Sequence, residues 1–277
     1  MIFFTDLVEL QFLQYAIFGA ILSSVACGIV GSFVVVRRIS YLAGAIAHCV
    51  LGGMGIARYI YVVYDVSWLT PFMGAIGAAI VAALITGYVT LVLKEREDSV
   101  IGAIWASGMA VGILFISLTP GYREDLMGYL FGNILLVSKS DLWAMGFLDL
   151  LIAIVVWYGY PQFVAVCFDP EFARIRGINV EFYYMVLLIL TSLTVVMLVS
   201  VVGIVMVIAL LTLPVAISST LSINLKNVIF MSVGFSVMFT TGGIALSYTP
   251  DLPSGAVTIL MATVTWFLAM GVKKLRN

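Results

Sequence analysis

The chain has 277 residues, of which 63% are apolar and only 10% are charged, and its mean hydropathy is +1.19. Soluble domains carry about 25% charged residues, so this composition excludes a soluble enzyme, a nucleic-acid-binding module and a disordered chain. The 13 basic residues nearly balance the 14 acidic ones, which argues against a basic surface for an acidic partner. The composition indicates an all-α, polytopic membrane protein that is surrounded by membrane lipid.

Apolar runs predict the membrane spans, because a spanning helix needs about 20 apolar residues. In chain order the runs are Leu10–Val36, Ile39–Ala57, Val66–Leu93, Ser99–Tyr122, Leu126–Ser138, Leu142–Phe168 (interrupted once, by Asp149), Phe182–Leu225, Asn227–Pro250 and Leu252–Val272. Leu126–Ser138 is too short to span and suits a re-entrant or interfacial piece. Phe182–Leu225 is long enough for two spans, with a turn at Gly203 and a kink or break at Pro214. The count is nine spans, or eight if the first run begins as an interfacial helix.

Lysine and arginine positions predict the orientation of these spans. With the N-terminus outside, three basic residues stay outside, namely Arg58, Arg123 and Lys139. The other ten then lie in the cytoplasm: Arg37, Arg38, Lys94, Arg96, Arg174, Arg176, Lys226, Lys273, Lys274 and Arg276. This asymmetry follows the positive-inside rule and predicts a cytoplasmic C-terminus. The polar connections are too short for a soluble domain, so we expect residues 1–277 to form a single transmembrane domain.

His48 is the only histidine of the chain, and it lies near the middle of the run Ile39–Ala57. An ionisable residue inside a membrane span is a functional candidate by default, and neutral imidazole is the commonest metal ligand. The alternative is a structural histidine that hydrogen-bonds a neighbouring helix. Cys49 lies about 100° round the helix from His48, so it is either a buried small apolar residue or a second ligand.

Asp149 is the other ionisable residue well inside a predicted span. A carboxylate at that depth costs a few kcal/mol, and its span offers no lysine or arginine as a partner. Two interpretations follow. Asp149 is either neutral and hydrogen-bonded to a hydroxyl of a neighbouring helix, or it faces a polar cavity and supplies a second group for the pathway of His48.

The segment Asp169–Gly177 reads as a short, well-capped helix between two spans. Asp169 can accept hydrogen bonds from the first free N–H groups, and Pro170 suits the first helical position. Gly177 suits the left-handed position that follows a helix. A connection between two spans needs no such caps, so the segment is expected to serve a purpose of its own.

The side chains of this segment support the same prediction. Glu171 near the start and Arg174 and Arg176 near the end suit the helix dipole. Phe172 and Ile175 are three residues apart and share a face. A helix this short is marginal alone, so another protein, or the lipid headgroups, should pack on it.

Blocks of sequence spread over the chain resemble the permeases of ABC-type manganese, zinc and iron uptake systems. They are Arg37–Leu42 with Ala47–Gly53, Glu97–Gly102, Tyr129–Leu135, Asp169–Gly177, and Val202–Ile204 continuing to Leu213–Pro214. The blocks keep their order and spacing over residues 10–272. Each block alone is weak, but together they are specific.

The resemblance implies a homodimeric permease with the fold of type II ABC importers, in the prokaryotic plasma membrane. Its partners would be a cytoplasmic ABC ATPase subunit and an extracytoplasmic metal-binding protein. It implies that His48 belongs to the metal pathway, with Cys49 and Asp149 as further candidates. It also implies that the coupling to the ATPase uses Asp169, Glu171, Phe172, Arg174, Arg176 and Gly177. Many family members carry an aspartate one helical turn before the histidine, where this chain has Gly44.

The resulting expectation is a membrane subunit that imports divalent transition metal ions, zinc first and then manganese or iron. Softer ligands favour zinc over manganese, and the chain lacks the oxygen ligand at Gly44. No cofactor is expected to be bound permanently. The sequence has no GxxxxGK[ST] motif, so ATP would be hydrolysed by the partner subunit and the chain would not itself be an enzyme.

Two alternatives make different demands on the residues. An ATP-independent secondary transporter would use His48 and Asp149 as coupling groups and would not need the capped segment Asp169–Gly177. A non-transporting scaffold would explain neither His48 nor Asp149. An ATPase that co-purifies with the chain would separate these alternatives.

Overall fold

A computed structural model describes residues 2–94, 96–120 and 137–276. All regular structure within these ranges is helical, in agreement with the all-α prediction. The helices are α1 Ile2–Glu9, α2 Gln11–Val36, α3 Ser40–Val63, α4 Pro71–Tyr88 with a π-helical turn at Val89–Leu93, α5 Glu97–Leu118, α6 Lys139–Phe168, α7 Pro170–Ile175, α8 Val180–Val202, α9 Ile204–Leu221, α10 Leu225–Tyr248 and α11 Ser254–Arg276. In the described ranges nine of these helices, all except α1 and α7, are long and apolar enough to cross a membrane.

The spans agree with the predicted runs, and their ends differ where local contacts extend or delay a helix. The first run is one helix of full length, so the count in the described ranges is nine. α3 continues past Arg58 to Val63, and the guanidinium of Arg58 lies 5.6 Å from the ring centroid of Tyr61. α4 begins only at Pro71, because Thr70 accepts a hydrogen bond from the backbone N–H of Met73 and caps the helix. The predicted re-entrant piece falls outside the described residues, except for its last two positions.

The long apolar run divides at Gly203 as predicted, but Pro214 does not break the second helix. Gly203 separates α8 from α9 with φ +86°, a conformation that costs glycine little. Pro214 lies inside α9, which continues unbroken to Leu221. Pro214 is buried, and its carbonyl accepts a hydrogen bond from the hydroxyl of Ser218. The expected break is therefore wrong, because packing against neighbouring helices tolerates proline inside a membrane helix, whereas the kink that was the other expectation stays a prediction.

α2 is the central helix, and it contacts α6, α8, α9 and α10. Two glycines allow this close packing. A Cβ on Gly28 would lie 2.6 Å from the backbone nitrogen of Val233 in α10, and one on Gly31 would lie 2.5 Å from the carbonyl oxygen of Leu211 in α9. Small residues let membrane helices approach closely in this way.

Helices α3, α4 and α5 form a second group beside this centre. α3 contacts both of its neighbours, α8 contacts α4, and α9 contacts α3. The chain therefore holds α3 between the central helices and α5. This arrangement fixes the position of His48, which α3 carries.

Candidate functional site

Contacts between glycines hold α3 against α5 around His48. A Cβ on Gly52 would lie 2.7 Å from the carbonyl oxygen of Gly108, and one on Gly55 would lie 2.9 Å from that of Gly112. No side chain fits between the two backbones at these positions, so α3 and α5 lie in direct backbone contact. Any sliding or separation of the two helices would break this contact. The side chain of His48 is therefore held against α5 by backbone packing on its C-terminal side.

Trp105 of α5 is the neighbour of His48 that the sequence analysis did not identify. The imidazole and indole rings stack, with their centroids 4.7 Å apart and their planes at 21°. Both residues are partly buried. The Nδ1 atom of His48 is buried and has no hydrogen-bond partner among the described residues. His48 therefore offers an unused lone pair or N–H group beside an aromatic wall.

The same indole covers Gly44, one helical turn before His48. A Cβ on Gly44 would lie 3.1 Å from Cζ3 of Trp105 and 3.3 Å from Cδ1 of Ile208. The space that a side chain at position 44 would enter is therefore taken up by Trp105 and Ile208. The chain lacks the carboxylate, and the space beside Gly44 is already filled.

Cys49 points to a different part of the molecule from His48. Its thiol donates a weak hydrogen bond to the carbonyl oxygen of Ala78 in α4, at 3.7 Å. Cys49 also lines an apolar groove of about 480 Å³ between α3, α4 and α5, together with Gly53, Gly74 and Ala78. The ring contact described for His48 involves none of these residues, so the structure does not bring Cys49 and His48 together at one site.

Asp149 lies between α2, α6 and α8. The residue is 8% exposed, and its Oδ2 atom has no hydrogen-bond partner among the described residues. A cavity of about 10 Å³ beside it is also lined by Ser23, Thr194 and Met145, which is about the space of one water molecule. His48 is not among the residues that line this cavity. In the part of the chain that the structure describes, no group of three or more His, Cys, Asp or Glu side chains could hold a metal ion.

The segment that follows α6 forms the short helix α7, with the predicted caps. Asp169 Oδ1 accepts a hydrogen bond of 3.0 Å from the backbone N–H of Phe172. At the other end Gly177 has φ +77°. The N–H of Gly177 bonds to the carbonyl of Arg174, and the N–H of Ile178 bonds to the carbonyl of Ala173. These two bonds are the pair that defines a Schellman cap, so both ends of α7 are fixed by local chemistry.

The side chains of α7 divide into an anchor and an exposed apolar face. Ala173 is fully buried, whereas Phe172 is 45% and Ile175 is 85% exposed. The guanidinium of Arg176 lies 4.7 Å from the ring centroid of Phe172, and Arg174 pairs with Glu181 at the start of α8. The helix is held to the bundle on one side and presents two large apolar side chains on the other.

Known proteins resemble the chain over nearly its whole length. The sequence pattern of the ABC 3 transport family matches residues 9–273. A probable metal transport system membrane protein of Chlamydia muridarum is 40% identical over 95% of this chain and 88% of its own length. The manganese transport system membrane protein MntC of Halalkalibacterium halodurans is 34% identical over 96% of this chain and 89% of its own.

A solved structure extends the similarity to the fold. It is that of PsaBC from Streptococcus pneumoniae in complex with Fab, in which one chain is 29% identical to this one and superposes on it with a TM-score of 0.86, with both chains covered completely. The fold is that of the permease subunit of an ABC transporter, and the chain is an integral membrane protein. The chain belongs to the ABC 3 transport family.

Proposed function

We propose that this chain is the permease subunit of an ATP-driven importer of divalent transition metal ions, with residues 1–277 forming one transmembrane domain. The observation that carries the proposal is the imidazole of His48 in α3, with a buried Nδ1 atom that has no partner among the described residues. Neutral imidazole binds transition metals, and a single protein ligand would release the ion again. Family membership and the metal transport names of the relatives support the same function.

Manganese is the ion that we propose to test first, with zinc and iron as competitors. The residues alone favour zinc, because the oxygen ligand at Gly44 is absent. Several relatives that match over almost their whole length are described as manganese permeases, from Halalkalibacterium, Listeria and Streptococcus. In this chain Trp105 and Ile208 fill the space beside Gly44. A site with an Asp–His pair would therefore differ from this one in its packing as well as in its metal ligands.

We propose that α7 is the element that couples the permease to a cytoplasmic ATPase. Its caps and its buried Ala173 fix it on the bundle, and the exposed Phe172 and Ile175 offer apolar area for a groove of the partner. The side chains of Asp169, Glu171, Arg174 and Arg176 would set its charge, and the left-handed backbone of Gly177 would set its end. With α7 on the cytoplasmic side, the C-terminus would also lie in the cytoplasm, and a metal-binding protein would bind on the opposite side of the membrane. Two copies related by a two-fold axis would bring two His48 side chains toward one pathway.

The alternative of a secondary transporter has less support. It needs His48 and Asp149 as coupling groups for one ion path, yet the contacts described for these two residues lie between different helices. It also offers no reason for a short helix that is capped at both ends and exposes two apolar side chains.

The decisive experiment is Mn²⁺ uptake into vesicles that contain the chain with and without its co-purified ATPase. We expect uptake only with the ATPase and ATP, and we expect Zn²⁺ to compete. Uptake driven by an ion gradient without ATP would support the secondary transporter instead. ATP-dependent uptake of Zn²⁺ with no uptake of Mn²⁺ would instead identify zinc as the transported ion.

A further inference from the structure

An apolar groove of about 580 Å³ runs along the surface between α2, α6 and α10. Its walls are built from apolar side chains, which include Ile29, Ala153, Trp157, Ile229, Phe230 and Val233. From Ala153 to Pro161 the groove follows α6 for about 12 Å, at 1.5 Å per residue. In a bilayer a lipid-facing groove of this size and polarity is filled by hydrocarbon.

One end of the groove is chemically different from the rest. Of the described residues that line it, Lys226 alone is charged. Its ammonium group lies 5.3 Å from the ring centroid of Tyr160, an arrangement that holds the cation without neutralising it. Among the described residues no carboxylate lies within ion-pair distance of Lys226. This end of the groove therefore carries a net positive charge.

The position of Lys226 places that charge at the boundary between membrane and water. α9 ends at Leu221 and α10 begins at Leu225, so a short polar connection precedes Lys226. Asn224 caps α10 by accepting a hydrogen bond from the backbone N–H of Lys226. The N-terminus of α10 adds a partial positive charge beside the ammonium group.

Two large side chains at the groove are exposed in a way that suits contact with lipid. Trp157 is 80% and Phe230 is 77% exposed. Tryptophan is enriched at the level of the lipid headgroups, and Trp157 lies one turn before Tyr160 and Pro161, close to the charged end. The apolar part of the groove thus matches the hydrocarbon core of a membrane, and its charged end matches the headgroup region.

We propose that this groove binds one anionic phospholipid, with an acyl chain between α2, α6 and α10 and the phosphate at Lys226. Lysine binds phosphate as a point charge, and basic pockets between membrane helices attract anionic headgroups. A zwitterionic lipid would bind less strongly, because its own ammonium group would be repelled by Lys226. No carboxylate among the described lining residues would attract that group. The preference for an anionic lipid therefore rests on one side chain.

The test is native mass spectrometry of the purified full-length chain, titrated with phosphatidylglycerol or phosphatidylcholine of the same acyl composition. The wild-type chain should retain phosphatidylglycerol about fivefold more strongly, the value of one lysine near a headgroup. Lys226→Gln should abolish this preference, and Lys226→Arg should keep it. Lys273→Gln, which removes an exposed charge from α11, is the matched control and should behave as wild type.

A second variant tests the apolar part of the groove independently of the charge. Ala153 is exposed, so Ala153→Trp should fill the groove without disturbing the core and should reduce the binding of both lipids. Equal retention of the two lipids by the wild type, or an unchanged preference in Lys226→Gln, would overturn the proposal. If Ala153→Trp instead lowers the fraction of dimer and leaves lipid binding unchanged, a second copy of the chain occupies the groove and the proposal is wrong.

Discussion

The imidazole of His48 lies almost flat on the indole of Trp105, with the ring centroids 4.7 Å apart. The same indole stands 3.1 Å from the position that a Cβ on Gly44 would take. Trp105 therefore does two things at once: it forms one wall of the space beside His48, and it fills the volume in which an aspartate at position 44 would lie. An aspartate at position 44 and the indole of Trp105 in its present position would therefore compete for the same volume.

The first prediction concerns Gly44→Asp. A side chain at this position must push Trp105 and Ile208 aside, and overpacking of this kind costs about 1–3 kcal/mol. We expect a corresponding loss of stability in thermal unfolding of the purified chain. Adding Trp105→Ala should make room for the carboxylate, so the two changes should couple favourably in a double-mutant cycle.

The same cycle also reports on the pathway. If Gly44 borders the route of the ion, the double variant should retain Mn²⁺ more strongly than Trp105→Ala alone, because a carboxylate then stands one turn from His48. Gly44→Ala is the control for added volume without charge. If Gly44→Asp destabilises the chain equally with and without Trp105, the indole is not what excludes the aspartate side chain.

The second prediction concerns His48→Ala. The side chain makes one described ring contact, and such a stacked pair is worth about 0.5–1.5 kcal/mol. We therefore expect a small decrease in melting temperature and a decrease of at least about tenfold in Mn²⁺ uptake, as for a lost ligand worth about 1.4 kcal/mol or more. Cys49→Ala provides the comparison at the next residue, where the thiol faces α4 and most of the uptake should remain. Proportional losses of stability and uptake in His48→Ala would indicate a packing histidine.

The parts of the structure that could be predicted from the sequence are those that depend on neighbours along the chain. Asp169 and Gly177 cap α7 through hydrogen bonds to residues a few positions away, so their residue types are sufficient. The stacking of His48 on Trp105 depends on how α3 packs against α5, and no local pattern marks Trp105 for that contact. Pro214 shows the opposite case, since the break that its local signal allows is prevented by packing inside the bundle.

The third prediction concerns the exposed face of α7. Ile175 is 85% exposed, so Ile175→Glu should leave the fold and melting temperature of the chain unchanged, within about 0.5 kcal/mol. The charge should nevertheless prevent apolar docking and lower the amount of ATPase that co-purifies with the chain. The double change Glu171→Ala with Arg174→Ala should weaken the same association or uncouple hydrolysis from transport. Its effect on stability should be small, because the exposed pair of Arg174 with Glu181 is worth about 0–1 kcal/mol.

These variants separate docking from folding. Lys273→Gln, at the far end of α11, alters a surface charge elsewhere and should keep normal ATPase association. Normal transport by both Ile175→Glu and the double variant would rule out α7 as the coupling element. Loss of ATPase association together with a large fall in melting temperature would instead point to a damaged bundle.

The last prediction concerns Asp149→Asn, and it follows from the hydrogen bonds around the small cavity beside Asp149. The hydroxyl of Ser23 donates to the carbonyl of Ala20, and that of Thr194 donates to the carbonyl of Leu190. Both hydroxyl protons are thus used within their own helices, and only lone pairs remain for the cavity. An ionised carboxylate would add further acceptors to this cavity, where the donor that the described lining residues offer Asp149 is the backbone N–H of Ala26.

A neutral carboxyl group satisfies this cavity better, because it supplies its own proton as a donor. Asparagine keeps the shape of the side chain and supplies N–H donors in the same place. We therefore expect Asp149→Asn to keep or slightly raise the melting temperature and to leave Mn²⁺ uptake unchanged. The measurement is uptake into vesicles across a range of pH, with Asp149→Leu as the comparison, since it leaves the hydroxyls without any donor and should lower stability. If Asp149→Asn folds normally but depresses uptake and weakens metal retention, the carboxylate takes part in transport. Asp149 would then have to reach the ion path from the cavity between α2, α6 and α8. That cavity is separate from the ring contact between His48 and α5.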